Sequence, residues 1–178
     1  MQPYQIHRSS RRTIALQILP DGSIVVRCPR QMEDAAIRAF VESRRDWLQK
    51  HLARMPAPQP PLTDAELRSL ALAAGEDLSA RLSRFAPLLG VAFGKVTIRA
   101  QKTRWGSCSS KGNLSFNCLL MLAPEHVRDY VAVHELCHLR QMDHSPAFWR
   151  LVERLLPDYA KSRQWLKEQG AALMSRLK

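Results

Sequence analysis

Three imidazoles and a carboxylate crowd one short stretch, VAVHELCHLRQMDHSPAFW, residues 131–149. His134 and His138 are four residues apart, a spacing that sets two side chains on one face of a helix. Both rings can then aim at one point and reach a zinc ion at about 2.0–2.1 Å. Glu135 falls about 100° round the same helix, at the margin of that face. There it suits proton transfer better than metal binding. A metal lowers the pKa of water towards about 7, and the carboxylate takes the proton as that water attacks a carbonyl or phosphoryl group. Three protein ligands would leave one reactive position open, and His144 is the first candidate for the third. Ser145-Pro146 reads as a helix start. The first helix must therefore end near Met142-Asp143, where the chain can turn and bring His144 back. Glu153, on the following helix, is the rival third ligand. The ligand types favour zinc over other divalent metals.

The bland alternative is a set of histidines hydrogen-bonded in a core without a metal. Val127, Val131, Val133, Leu136, Cys137, Leu139 and Met142 make the segment apolar on most sides, so its helix belongs in the interior. Two imidazoles and a carboxylate there are costly unless they are satisfied together, which a metal achieves. The full spacing is H-E-x-x-H-x-x-x-x-x-H. Gln141 stands where metzincins carry a glycine, which argues against that group.

Periodicity and turn chemistry outline the elements that must hold these residues. TIALQILPDGSIVVRC reads as a β-hairpin: Ile14, Leu16 and Ile18 alternate, Pro20-Asp21-Gly22-Ser23 supplies the turn, and Ile24-Val25-Val26 returns. Residues 33–51 read as one helix, with Ile37, Phe40, Val41 and Leu48 at helical spacing. PAPQPP, residues 56–61, holds four prolines and reads as a stiff connector. It divides an N-terminal β-hairpin and helix subdomain, residues 1–55, from the main domain, residues 62–178. That domain opens on a capping box, Thr63-Asp64-Ala65-Glu66, ahead of a long helix bearing Leu67, Leu70, Leu78, Leu82 and Phe85. KVTIRAQ (95–101) and LSFNCLLML (114–122) read as strands, with tight turns at Trp105-Gly106-Ser107 and Lys111-Gly112-Asn113. Pro124 starts the helix carrying HELCH, and Leu156-Pro157-Asp158 breaks before a last one. The expected fold class is α+β, with an active helix and a small antiparallel sheet.

Charge is the abnormal bulk property: 27 Lys+Arg against 16 Asp+Glu leave a net +11. Such an excess favours phosphate-rich partners, nucleotide or nucleic acid, unless the charges are spread over a solvated surface. With 46% hydrophobic residues and seven glycines the chain can bury a core, which excludes a disordered chain. No run approaches the ~18 apolar residues of a membrane span, and the basic start lacks a signal-peptide cleavage pattern. Cys28, Cys108, Cys118 and Cys137 form no C-x-x-C pair, which fits a reducing, cytoplasmic setting. Cys108 and Cys137 read as small buried hydrophobes rather than ligands.

RWGSCSSKGNLSFN followed by VHELCHLRQMDHSPAFWRLVERLLPDY resembles the YgjP-like zinc metallopeptidases, relatives of the SprT-like zincins. SSRRTIALQILPDGSIVVRCPR and FVESRRDWLQKHLAR are similar to that family's opening hairpin and helix, so the resemblance covers nearly the whole chain. It implies a zincin-like α+β core, zinc on His134, His138 and His144, and Glu135 as general base. Cys118 departs from the family, whose members often carry tryptophan after the asparagine; the position touches no proposed ligand.

Other residues carry two readings each. Arg104 could contact an anionic substrate or developing negative charge, or pair with a structural carboxylate beside Trp105. Asn117 could bind substrate backbone or hold a turn. Asp143 could orient an imidazole or cap the next helix. Phe148 and Trp149 read as core. Three functions compete: a zinc peptidase acting on peptides or proteins, a metal-dependent hydrolase of an anionic substrate such as a nucleoside triphosphate, and a protease or module associated with DNA. The oligomeric state is not legible.

Overall fold

The computed structural model describes residues 3–19, 22–53 and 59–177. The chain divides into two compact units, Met1–Gln59 and Pro60–Lys178.

In the first unit, β1 (Tyr4–Ser9), β2 (Ala15–Ile18) and β3 (Ile24–Pro29) form a sheet with β3 in the middle. The expected hairpin pairs β2 antiparallel to β3, with Ile18 opposite Ile24 and Leu16 opposite Val26. Pro20 and Asp21 of its turn lie outside the described residues; Gly22 beside them has φ +83°, a backbone that glycine adopts without strain. The parallel strand β1 was not expected from sequence. It is mostly exposed, so it shows no alternation of buried and solvated positions. The single helix expected over 33–51 is two, α1 (Asp34–Glu42) and α2 (Arg45–Leu52). The break falls at Ser43, whose hydroxyl donates to the Phe40 carbonyl and competes with helix continuation. Ile37, Val41 and Leu48 still share one apolar face, which covers Ile24, Val26 and Cys28 of the sheet. Of the proline-rich connector, residues 56–58 lie outside the described residues.

The second unit begins with α3 (Asp64–Leu89). Its capping box is formed: Thr63 Oγ1 accepts from Glu66 N–H, and the Glu66 carboxylate accepts from Thr63 N–H at 2.7 Å. Gly90, with φ +62°, ends the helix in the left-handed conformation. Three strands follow, β4 (Val96–Arg99), β5 (Gly106–Cys108) and β6 (Leu114–Asn117), in the order β4-β6-β5. β4 runs parallel to β6 and β5 antiparallel, so the sheet is mixed rather than antiparallel. LSFNCLLML is a strand only as far as Asn117; Cys118–Leu122 is a 3-10 helix. A short apolar run does not distinguish the two by period. The Asn117 side chain marks the switch by accepting from Leu119 N–H at 3.1 Å.

Helices α4 (Glu125–His138), α5 (Pro146–Leu155) and α6 (Tyr159–Met174) complete the unit. α4 is the central element: Val127, Ala132, Val133, Leu136 and Cys137 are fully buried. α3, α5, α6 and β5 all pack against it. Buried Arg81 of α3 ties α3 to α4 by pairing with Asp129, and Arg128 of α4 returns to Asp77 of α3 at 2.8 Å, itself paired with Arg81 at 2.7 Å. Among the described residues no helix is long and apolar enough to cross a membrane.

Candidate metal centre

Helix α4 presents His134 and His138 one turn apart, with Nε2 atoms 3.2 Å from each other. α4 ends at His138, four residues before the expected Met142. The Leu139, Arg140 and Gln141 N–H groups still bond back to Leu136 and Cys137, so the chain curls tightly there. That curl returns His144, whose Nε2 lies 3.0 Å from His134 Nε2. Among the described residues these three form the one group of potential metal donors, all within 4.8 Å of one another. Glu153 lies outside the group and is exposed on α5. Asp143 bonds to neither imidazole: its carboxylate accepts from Gln141 Nε2 at 2.6 Å and from Ser145 N–H at 3.3 Å, in the turn before α5, whose N-cap is Ser145.

The donor set fits a zinc-type ion. Edges of a tetrahedron with bonds of about 2.0–2.1 Å are roughly 3.3–3.4 Å, close to the two spacings from His134 Nε2, 3.2 and 3.0 Å, with all three donors within 4.8 Å. His138 Nδ1 lies 3.1 Å from the Gln141 carbonyl, which can only accept, so that nitrogen carries the proton and Nε2 offers its lone pair. His134 Nδ1 is 3.4 Å from the Tyr130 hydroxyl, leaving its Nε2 likewise directed at the centre. Burial, reinforced by the charges of His138, His144 and Arg163, pushes His134 down to about 3. Burial also lowers His138, opposed by the Gln141 hydrogen bond. Both rings are therefore neutral near pH 7, the form that binds metal.

Phe148 of α5, fully buried, seats all three imidazoles: its ring centroid is 4.9, 4.6 and 4.9 Å from those of His134, His138 and His144. Its expected core role was correct, but its position as the floor of the cluster was not legible. Tyr130 was missed as well, although it lies four residues before His134 on the same helix, a spacing that could have revealed it.

Glu135 is 5% exposed, and burial raises its carboxyl to about 8 against the opposing pull of Arg104. It lies under β5. A Cβ on Gly106 would come within 2.5 Å of Glu135 Oε1, so this residue must be glycine for the carboxylate to stay where it is. The turn expected at Trp105-Gly106-Ser107 is thus instead the start of a strand, and its glycine serves close approach. β5 is an edge strand of its sheet, whereas LSFNCLLML supplies the central β6.

Arg104 is exposed and forms no ion pair within 4 Å among the described residues, although its charge acts on the Glu135 carboxylate. Asn117 is fully buried. Its amide donates to the carbonyls of Gln101 at 2.6 Å and Arg104 at 3.0 Å, and so holds the loop before β5. Cys137 is fully buried and its thiol is pushed up to about 12 by burial, consistent with an inert packing residue.

Residues 12–72 and 65–169 match the YgjP-like metallopeptidase domain. Among solved structures, the chain is similar to the metallopeptidase zymogen abylysin of Pyrococcus abyssi, at 28% identity and a TM-score of 0.46, over 51% of this chain and 93% of that one. It is also similar to the metallopeptidase zymogen jannalysin of Methanocaldococcus jannaschii, at 15% identity and a TM-score of 0.46, over 51% of this chain and 94% of that one. No curated protein matches the chain.

Proposed function

The chain belongs to the YgjP-like metallopeptidase family, and on that premise we propose that it is a zinc-dependent peptidase whose ion is held by His134, His138 and His144. The observation that carries this reading is the convergence of three Nε2 atoms beside a buried carboxylate. When bound, zinc supplies an acidified water and a Lewis acid for the scissile carbonyl. Glu135 takes the proton of the attacking water and delivers it to the leaving amine as the peptide bond breaks. Burial raises Glu135 to about 8 even against the pull of the Arg104 guanidinium, so the carboxylate needed to accept a proton near pH 7 depends on the added positive charge that a bound ion would supply. The edge of β5, against Glu135, offers backbone N–H and C=O groups with which an extended peptide can pair.

The test is Glu135→Gln. The variant should retain one zinc per chain by metal analysis and lose at least about 10³-fold in cleavage of unfolded casein, within the range of general-base catalysis. A metal-loaded wild type that leaves peptides intact but releases pyrophosphate from nucleoside triphosphates, with the same dependence on Glu135, would replace this reading. The exposed charge of Arg104 beside the carboxylate is the feature that makes nucleotides worth including in the panel.

A further inference from the structure

A cleft of about 590 Å³ opens beside His138, bounded by three segments: residues 90–92 after α3, the β5–β6 turn at 109–112, and residues 138–142 after α4. These segments are tied to one another. Arg140 donates to the Gly90 carbonyl at 3.3 Å, Gly94 N–H to Gly112 O at 2.8 Å, and Lys95 N–H to the Asn113 side chain at 2.9 Å. The turn itself is closed by Gly112 N–H on Ser109 O at 2.9 Å, with Gly112 at φ +76°. The cleft is therefore preorganised rather than a gap between loose loops.

Its lining has one sign of charge. Lys111 and Arg140 contribute cations, and no Asp or Glu is among the lining residues. Val91, Leu139 and Met142 add apolar wall, and Met142 is exposed there. The cleft also lies at one end of the β5 edge. Gly106 touches Glu135, Cys108 ends the strand two residues on, and Ser109-Ser110-Lys111 then line the cleft. A peptide paired along β5 with its scissile bond near Glu135 would bring a side chain close to the cleft within a few residues, since a strand advances about 3.3 Å per residue.

We propose that this cleft is a specificity subsite for an acidic side chain of the substrate, glutamate above all, whose methylenes lie on Leu139 and Met142 while its carboxylate meets Lys111 and Arg140. The proposal rests on the peptidase reading and names a substrate class for it. Glutamate fits better than aspartate because the apolar wall calls for an aliphatic stem. The two cations give the discrimination against neutral and basic residues.

The experiment uses the zinc-loaded full chain and otherwise identical peptides carrying Glu, Gln or Lys at each position flanking the cleaved bond. At one position kcat/KM should be roughly five- to tenfold higher for Glu than for Gln, the scale of two partly exposed ion pairs, and lower again for Lys. The preference should shrink as salt rises. Lys111→Glu, and Lys111→Glu with Arg140→Glu, should reverse the Glu-over-Lys order while zinc content stays at the wild-type level. Equal rates for Glu, Gln and Lys at every position, or a preference that survives both variants, overturn the subsite and leave the peptidase reading standing. Binding separates the two hypotheses from the other side. Fluorescent peptides are titrated into zinc-loaded Glu135→Gln protein and followed by anisotropy. Tighter binding of the Glu peptide, lost in the Lys111→Glu background, upholds the subsite even if the wild type cleaves nothing; no difference there overturns it.

Discussion

Glu135 and Gly106 are joined by a steric bond as strict as any hydrogen bond in the molecule. The carboxylate occupies the space a Cβ at Gly106 would fill, so the identity of one residue sets the position of the other. Gly106→Ala must push Glu135 aside or bend β5. A displacement of about 1 Å at a reacting group is enough for a loss of the order of 10²-fold in kcat. We expect that loss with zinc content unchanged, because none of the three histidines approaches Gly106 among its nearest atoms. An alanine variant as active as the wild type would mean that Glu135 does not act from the position seen here. At this scale sequence reading went astray in an instructive way. W-G-S looked like turn chemistry, and a glycine required by close approach carries the same letter as a glycine required by a turn.

Among the elements, α4 does the positioning, and it is held from the α3 side by buried ion pairs. Arg81 is nearly enclosed between Asp77 and Asp129, with Glu125 at 3.4 Å, and Arg128 pairs a second time with Asp77. Removing the guanidinium leaves Asp129, whose side chain is 16% exposed, without its partner, whereas Asp77 keeps Arg128. Arg81→Ala should therefore destabilise by about 2 kcal/mol, below the range for a fully buried pair because Asp129 keeps some solvent, read from urea unfolding. A loss under about 1 kcal/mol would show that α3 and α4 are joined by their apolar face alone. The helix itself was legible from its apolar residues and from Pro124. Its end was not: α4 stops at His138, and the residues to Gln141 continue the curl with single hydrogen bonds that no sequence period announces.

For the molecule as a whole, folding and metal binding should be linked. Three neutral imidazoles are needed together, and His134, held down to about 3 by burial, gains a proton more readily in the unfolded chain than in the folded one. The unfolded chain thus binds more protons at His134 between about pH 6.5 and pH 3. Glu135, raised to about 8, instead binds more in the folded chain between about pH 4.5 and pH 8. In the metal-free Glu135→Gln protein, which lacks the opposing carboxyl, stability should fall as pH drops from about 6.5 to 3 and be kept above that window. Zinc held by the folded form alone would add to its stability; at a free concentration a hundred times its Kd the gain would be about 2.7 kcal/mol. Calorimetry at pH 7.5 should show a lower Tm after chelation, recovered by zinc. An identical Tm with and without chelator would remove the metal centre from this account. The pH series run on the chelated Glu135→Gln protein checks the histidine contribution separately.

Local order was written in the sequence itself. The capping box at Thr63, the helical pairing of His134 with His138, the α4 apolar faces and the β2–β3 hairpin all depend on residues within a few positions of one another, and each formed as expected. What needed the tertiary structure depends on residues far apart in the chain. The antiparallel expectation gave way to a mixed sheet because strand direction follows from where β4 and β5 return to β6. Asn117 turned inward to hold the Gln101 and Arg104 carbonyls, Gly106 met Glu135, and Phe148 slid beneath three imidazoles. Periodicity reports which side of an element is apolar, but only packing decides which other element that side will meet.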